Sequence, residues 1–412
     1  MKLITKTADL DKACRTFSSH DYVAVDTEFL RDVTYWPRLC LIQMAAPGTD
    51  VALVDALAPD LDLKPFLDLM ADETVTKVFH AARQDVEIIY HLGGLIPHPL
   101  FDTQVAAAVC GHGESVGYEA LVREIVQGTI DKSHRFTDWS RRPLSDAQLA
   151  YAAADVIHLQ PIYEALQAEV DKVERHEWIR EEMDILTSPE TYNTDPAEAW
   201  RRLKMKVRKP REFAAFKALA EWREKEAQTR DVPRSRVLKD DGLYEIAVHL
   251  PDSESSLARL RAVPKGYERS SAGREILKLV RQVKELPDKE LPPIPRPNGP
   301  QRMSGPVSDL LKVLLKAVAA QNKVASRLVA TSDDIEAIAA DDDADVAALK
   351  GWRREIFGDK ALDLKHGRLS LAVDGNRLSF DERDPPEKPA KSRKRRRRKP
   401  AGSETGQKAD AG

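Results

Sequence analysis

Four acids and one tyrosine are the residues whose types and spacing could do chemistry. Val23-Ala24-Val25-Asp26-Thr27-Glu28-Phe29 sets two carboxylates two positions apart in an apolar strand, where alternate side chains share a face. Two acids so placed repel each other unless a cation lies between them, and hard oxygen ligands of this kind suit Mg²⁺ or Mn²⁺. Asp85, in His80-Ala81-Ala82-Arg83-Gln84-Asp85, falls in the first turn of a helix, where the helix dipole favours an anion. In Ser145-Asp146-Ala147-Gln148-Leu149-Ala150-Tyr151-Ala152-Ala153-Ala154-Asp155, Ser145 and Gln148 form a capping box that fixes the helix start. Tyr151 and Asp155 then share a face at i and i+4, and the alanines between them let another element pack close. Taken singly, each has an ordinary alternative: a solvated strand edge, a helix N-terminal acid, an amphipathic helix with a hydrogen-bonded tyrosine. His80 reads as a structural strand-end residue, and His112, His134 and His158 lack zinc-ligand spacing.

The elements that must position these residues alternate over 1–170. Strands are expected at 22–26, 39–45, 50–54 and 76–79, and the second and third are joined by Ala46-Pro47-Gly48-Thr49. Helices are expected around Leu63, Phe66, Leu67 and Met70, and from about 82 to 92, ending at Gly93-Gly94. Antiparallel strands followed by β-α units suggest a mixed sheet covered by helices. The stretch 187–197 reads as a loop. Residues 208–286 look wholly helical, with Phe213, Phe216, Leu219 and Ala220 on one face, Pro233 where a helix could begin, and Leu243, Ile246 and Ala247 starting another. Seven prolines from Pro287 to Pro306 mark a second linker, and helical periodicity resumes through Leu310, Leu311, Leu314 and Leu315. The expected layout is a catalytic domain over 1–186, a linker over 187–207, a helical domain over 208–286, a proline-rich linker over 287–306, a second helical domain over 307–378 that could be a distant copy of the first, and a disordered basic tail over 379–412.

The 412 residues exceed one ordinary domain. The three cysteines, Cys14, Cys40 and Cys110, make no Cys-x-x-Cys pair, which argues against disulfide and zinc frameworks and suits a reducing cytoplasm. No apolar run is long enough to span a bilayer, and the N-terminus lacks the features of a secretory signal. The segment 391–399 carries eight positive charges in nine residues; without them the formal net charge of −3 becomes −11. An acidic body with a basic tail is compatible with a nucleic-acid partner. Arg201, Arg202, Lys204, Lys206, Arg208, Lys209 and Arg211 form a second basic run, able to neutralise phosphates or simply to face solvent.

Jointly, the acids and Tyr151 resemble the tyrosine-containing branch of the DEDD exonuclease superfamily. Asp26-Thr27-Glu28-Phe29, 37–43 (Pro-Arg-Leu-Cys-Leu-Ile-Gln), Phe101-Asp102-Thr103-Gln104, 138–144 (Asp-Trp-Ser-Arg-Arg-Pro-Leu) and Tyr151-Ala152-Ala153-Ala154-Asp155 are similar to ribonuclease D, and 237–247 resembles an HRDC domain. The resemblance implies an α/β ribonuclease H-like exonuclease domain followed by two all-α HRDC-like domains. It also implies two divalent cations, Mg²⁺ or Mn²⁺, about 4 Å apart, that stabilise the attacking and leaving oxygens. Asp26 would bridge both ions, Glu28 and Asp155 would complete the site of the nucleophilic water, and Asp85 would hold the second ion. Tyr151 would orient the water, since a free phenol with a pKa near ~10 is a poor base at neutral pH.

The implied activity is 3′→5′ trimming of structured RNA such as tRNA precursors in the cytoplasm, releasing nucleoside 5′-monophosphates, with no membrane or obligate protein partner. Candidate substrate contacts are Phe29, which could equally be core, Lys132 and Arg135, together with Arg201, Arg202, Lys204, Lys206, Arg208 and Lys209. Trp139 reads as a domain anchor, and the tail is expected to add RNA affinity. The competing readings are a DNA 3′→5′ exonuclease and a catalytically silent nucleic-acid-binding protein. The absence of a phosphate-loop motif argues against a helicase-linked form.

Overall fold

The computed structural model describes residues 2–131, 133–134, 137–204, 206–294, 305–375 and 377–383. Lys132, Arg135 and residues 384–412, with the basic stretch 391–399, lie outside the described residues. The first part of the chain builds a six-stranded mixed sheet of β1 (Lys2–Ile4), β2 (Tyr22–Leu30), β3 (Arg38–Ala45), β4 (Ala52–Asp55), β5 (Thr76–Phe79) and β6 (Leu100–Asp102), in the order β1-β4-β3-β2-β5-β6. β2, β3 and β4 run antiparallel as a meander, while β5 and β6 join parallel to β2. Both sheet faces are covered. Val23, Val25, Ile42 and Val78 belong to the main core, while Cys40, Leu41 and Leu53 meet Ala152 and Ala153 of the long helix Asp146–Val173.

β2 is longer than the 22–26 expected. It runs through both acids and carries a register shift between Glu28 and Phe29, a local kink of the kind that re-aims side chains next to functional sites. The Arg83–Gly93 helix ends on Gly94 at φ 64°, the left-handed conformation that glycine adopts without steric cost.

A second core forms around Phe213, Phe216, Leu219, Leu243, Ile246, Leu277 and Val280, on helices Pro210–Thr229, Asp240–His249 and Ser271–Glu285. A third forms around Leu311, Leu314, Leu315, Ile335, Ile338, Trp352 and Phe357. The element order Pro210–Thr229, Arg234–Val237, Asp240–His249 recurs as Pro306–Asn322, Ser326–Val329, Ser332–Ala340.

Three expectations need correction. Residues 369–374 are not helical, and 379–382 are not the start of a disordered tail: Leu369–Asp374 and Arg377–Glu382 pair as an antiparallel hairpin. Leu369, Leu371 and Val373 recur at the strand period between the smaller or polar Ser370, Ala372 and Asp374, and Gly375 supplies a positive φ at the turn. Leu310 is 47% exposed and does not belong to the buried stripe of Leu311, Leu314 and Leu315. The stretch 187–207 is packed rather than free, since Tyr192 belongs to the first core, and Ala199 and Val207 to the second.

The helical modules dock on the sheet domain by different means. Trp178 stacks on Trp352 with centroids 4.1 Å apart, and Arg353 pairs with Glu181 and Glu182. Gly111, at φ +93°, lies so close to Lys323 that a Cβ there would sit 2.5 Å from its carbonyl oxygen. The segment between β2 and β3 meets the first helical module through Tyr35 and Trp36, which cluster with Ala227 and Val237 and whose backbone N–H groups both donate to Asp231 at 3.0 Å.

Candidate metal centre

β2 presents Asp26 and Glu28 on one face, and the long helix brings Asp155 over it. One carboxylate oxygen from each of the three lies within 4.8 Å of the others. The approach is close because Ala152 and Ala153, beside Tyr151 on the helix, are buried against the sheet. The capping box of Ser145 and Gln148 fixes where this helix begins and hence the phase of Tyr151 and Asp155.

The segment leading into that helix is pinned by Arg142. Its guanidinium takes the Asp55 carboxylate through Nε at 2.8 Å and Nη2 at 2.6 Å, and also donates to the carbonyls of Cys40 and Trp139. Such two-pronged contacts fix orientation as well as position. Trp139 is buried in the same cluster, 6.1 Å from the Tyr151 ring.

Asp85 sits in the first turn of its helix, buried, and accepts a hydrogen bond from Thr27 on β2. It lies near enough to Asp26 for each charge to oppose the other but is not one of the three clustered acids. Asp102 holds the turn before that helix. Its two oxygens accept from Ala81 N at 3.0 Å and Ala82 N at 2.8 Å, while it caps the Thr103–Cys110 helix.

The electrostatics of the cluster are those of unneutralised acids. Burial, then the charges of Asp26, Asp155 and Asp85, push Glu28 up to about 9. Burial and Asp26 push Asp155 up to about 8. Burial raises Asp26 to about 6 despite a backbone hydrogen bond, and Asp85 is raised by burial and then by Asp26. An assembly of carboxylates that cannot all ionise alone, and that offers only oxygen donors, fits a hard divalent cation.

A cleft of about 460 Å³ opens over the acids, lined by Asp26, His80, Gln104, Tyr118, Tyr151 and Asp155 among others. Tyr118 donates to the backbone carbonyl of Asp155, and burial, then Asp155 and Asp26, drive its hydroxyl far above the usual phenol range. His80 faces this cleft, its Nδ1 3.0 Å from Thr103 Oγ1. Sequence reasoning gave no role to Tyr118, Gln104 or Arg142. Arg142 and Gln104 stand inside quoted motifs, whereas no local pattern marks Tyr118.

The expected substrate contacts are dispersed. Phe29 is half-buried, packs against the main core and does not line the cleft. The basic run at 201–211 is largely engaged in ion pairs: Arg201 with Glu198, Arg202 with Glu224, Lys206 with Asp241, Lys209 with Glu212 and Arg211 with Asp288. Lys204 and Arg208 are exposed. No helix among the described residues is long and apolar enough to cross a membrane.

Comparison with known proteins matches both the sheet domain and the first helical module. A family model described as 3′-5′ exonuclease matches residues 1–171, and an HRDC domain model matches residues 212–280. Ribonuclease D of Nitrobacter hamburgensis is 53% identical over 383 residues, which cover 93% of this chain and 100% of that protein. Ribonuclease D of Bartonella henselae is 45% identical, covering 92% and 93% respectively. The crystal structure of Escherichia coli RNase D, described as an exoribonuclease involved in structured RNA processing, aligns with a TM-score of 0.78 at 30% identity, covering 88% of this chain and 98% of that one.

Proposed function

The chain belongs to the ribonuclease D family of 3′→5′ exoribonucleases, and from that premise we propose that it trims the 3′ ends of structured RNAs such as tRNA precursors, by two-metal-ion hydrolysis that releases nucleoside 5′-monophosphates. The observation that carries the chemistry is the three-carboxylate cluster, with oxygens within 4.8 Å and its acids raised by burial and mutual repulsion.

Asp26, Glu28 and Asp155 would hold the cations, with Asp85 serving the second one directly or through water. Bound there, two ions of Mg²⁺ or Mn²⁺ would activate a water and stabilise the leaving oxygen of an in-line displacement. Tyr151, in the cleft wall beside Asp155, would orient that water. The cleft would receive the 3′-terminal nucleotide. Lys132, Arg135 and the exposed cations of 201–209 would guide the strand toward it, the solvent-exposed pairs of Arg201 with Glu198 and Lys206 with Asp241 exchanging their acid partners for phosphates at little cost. The substrate and the reducing cysteine pattern favour a cytoplasmic setting.

Matched RNA and DNA oligonucleotides with a 3′ single-stranded end test the substrate class. Metal-dependent release from RNA with weak release from DNA is expected; equal or preferential attack on DNA would replace this reading with a DNA exonuclease.

A further inference from the structure

Gln43 lies on β3, fully buried, and neither the oxygen nor the nitrogen of its carboxamide has a hydrogen-bond partner within the fold. Leaving a buried polar group unpaired costs about 1–3 kcal/mol, so an orphaned buried amide calls for a functional partner. The β2–β3 register sets Gln43 directly opposite Asp26. Cross-strand residues so paired project from the same face, with Cβ atoms about 4.5–5.5 Å apart. The flanking side chains on this face, Leu41 on the same strand and Leu53 across on β4, are buried and apolar. The Asp26 carboxylate is therefore the polar group that the register brings to the amide.

We propose that Gln43 is a positioning residue of the metal centre, its Nε2 donating to the Asp26 carboxylate, directly or across one buried water, so that the opposite lone pairs face the cations. The inference rests on the metal reading above. A carboxylate that ligates a cation needs its remaining lone pairs satisfied, and such outer partners orient metal ligands. A neutral amide does this without competing with the cation, as an arginine would, and without adding to the repulsion, as another acid would.

The test is Mn²⁺ binding to the full chain without RNA, followed by electron paramagnetic resonance, in wild type, Gln43→Met and a packing control, Leu53→Met. Methionine fills a similar volume without polar atoms. The expected result is a folded Gln43→Met protein that binds Mn²⁺ about 10-fold or more weakly, with kcat reduced and KM for RNA held, while Leu53→Met binds as wild type does. Equal Mn²⁺ affinity in wild type and Gln43→Met overturns this inference alone; no binding by wild type overturns the metal reading and this inference with it. Should Gln43→Met not fold, the crystal structure of the wild-type chain with Mn²⁺ decides. A Gln43 amide linked to Asp26, directly or by one water, supports the assignment, and one turned away from it overturns it.

Discussion

Glu28 and Glu224 are glutamates removed to different degrees from solvent in one chain, and their surroundings drive them in opposite directions. Around Glu28, burial and three other acids all raise the pKa, to about 9. Around Glu224, 1% exposed, burial also raises it, but hydrogen bonds from Arg234 and Tyr35, and then the charges of Arg234 and Arg202, outweigh burial and hold it below the usual value. Arg234 grips Glu224 through two nitrogens at 2.6 Å and Arg202 adds a third contact at 2.6 Å. Where the fold needs rigidity, between the β2–β3 segment and the helix Pro210–Thr229, it supplies the counter-charges itself. Where it needs a ligand, it leaves the charges unanswered. The two places are also connected, since Tyr35, which donates to Glu224, follows the strand that carries Glu28 by only a few residues.

The comparison breaks most visibly at the acids. Asp155→Ala should lower nucleotide release by at least about 10³-fold while RNA binding and folding persist; retained turnover would remove Asp155 from the metal site. Tyr151→Phe should slow release about 10²-fold and leave Mn²⁺ affinity unchanged, which parallel kinetic and binding assays would separate. Glu224→Gln should cost about 2–3 kcal/mol in urea unfolding, less than the usual loss for a broken buried pair because its arginine partners are 44% and 40% exposed.

The pH response should sharpen the contrast. A raised folded pKa means that the native state keeps a proton which the unfolded chain has released. Stability in a chelator should therefore fall as pH rises from 4.5 toward about 9 through the Glu28 window. Added Mg²⁺ should restore Tm more at pH 8 than at pH 6, because it displaces those protons. Glu224 has the opposite sign: its contribution is in place above the ordinary glutamate value of 4.5 and is lost below it. A Tm that is flat with pH in chelator would contradict the repulsive cluster. Tyr35→Phe, which removes the hydroxyl that donates to Glu224 and accepts from Gln228 and Arg234, should cost about 1–2 kcal/mol.

Much of this was legible in the sequence because it is local or carried by motifs. Period-two spacing put Asp26 and Glu28 on one face, the capping box set the phase of Tyr151 and Asp155, and the quoted motifs identified the ribonuclease D family and the HRDC domain. The rest depends on who meets whom in space. Nothing local tells that Tyr118 reaches the Asp155 backbone from 37 residues away, or that Arg142 finds Asp55 across 87. The run at 201–211 looked like free positive charge because its acid partners, such as Glu224 and Asp288, lie far along the chain. The first strand of the 369–382 hairpin was absorbed into the preceding helical periodicity and most of the second into the charged tail, although the glycine turn was present.

The most direct test of the metal-centre account is release of nucleoside 5′-monophosphates from a 3′-extended tRNA, first in chelator and then with Mg²⁺ or Mn²⁺, beside Asp26→Ala. Release only after metal addition, and none from the variant, is the expected result. Release in chelator, or undiminished release from Asp26→Ala, would contradict it.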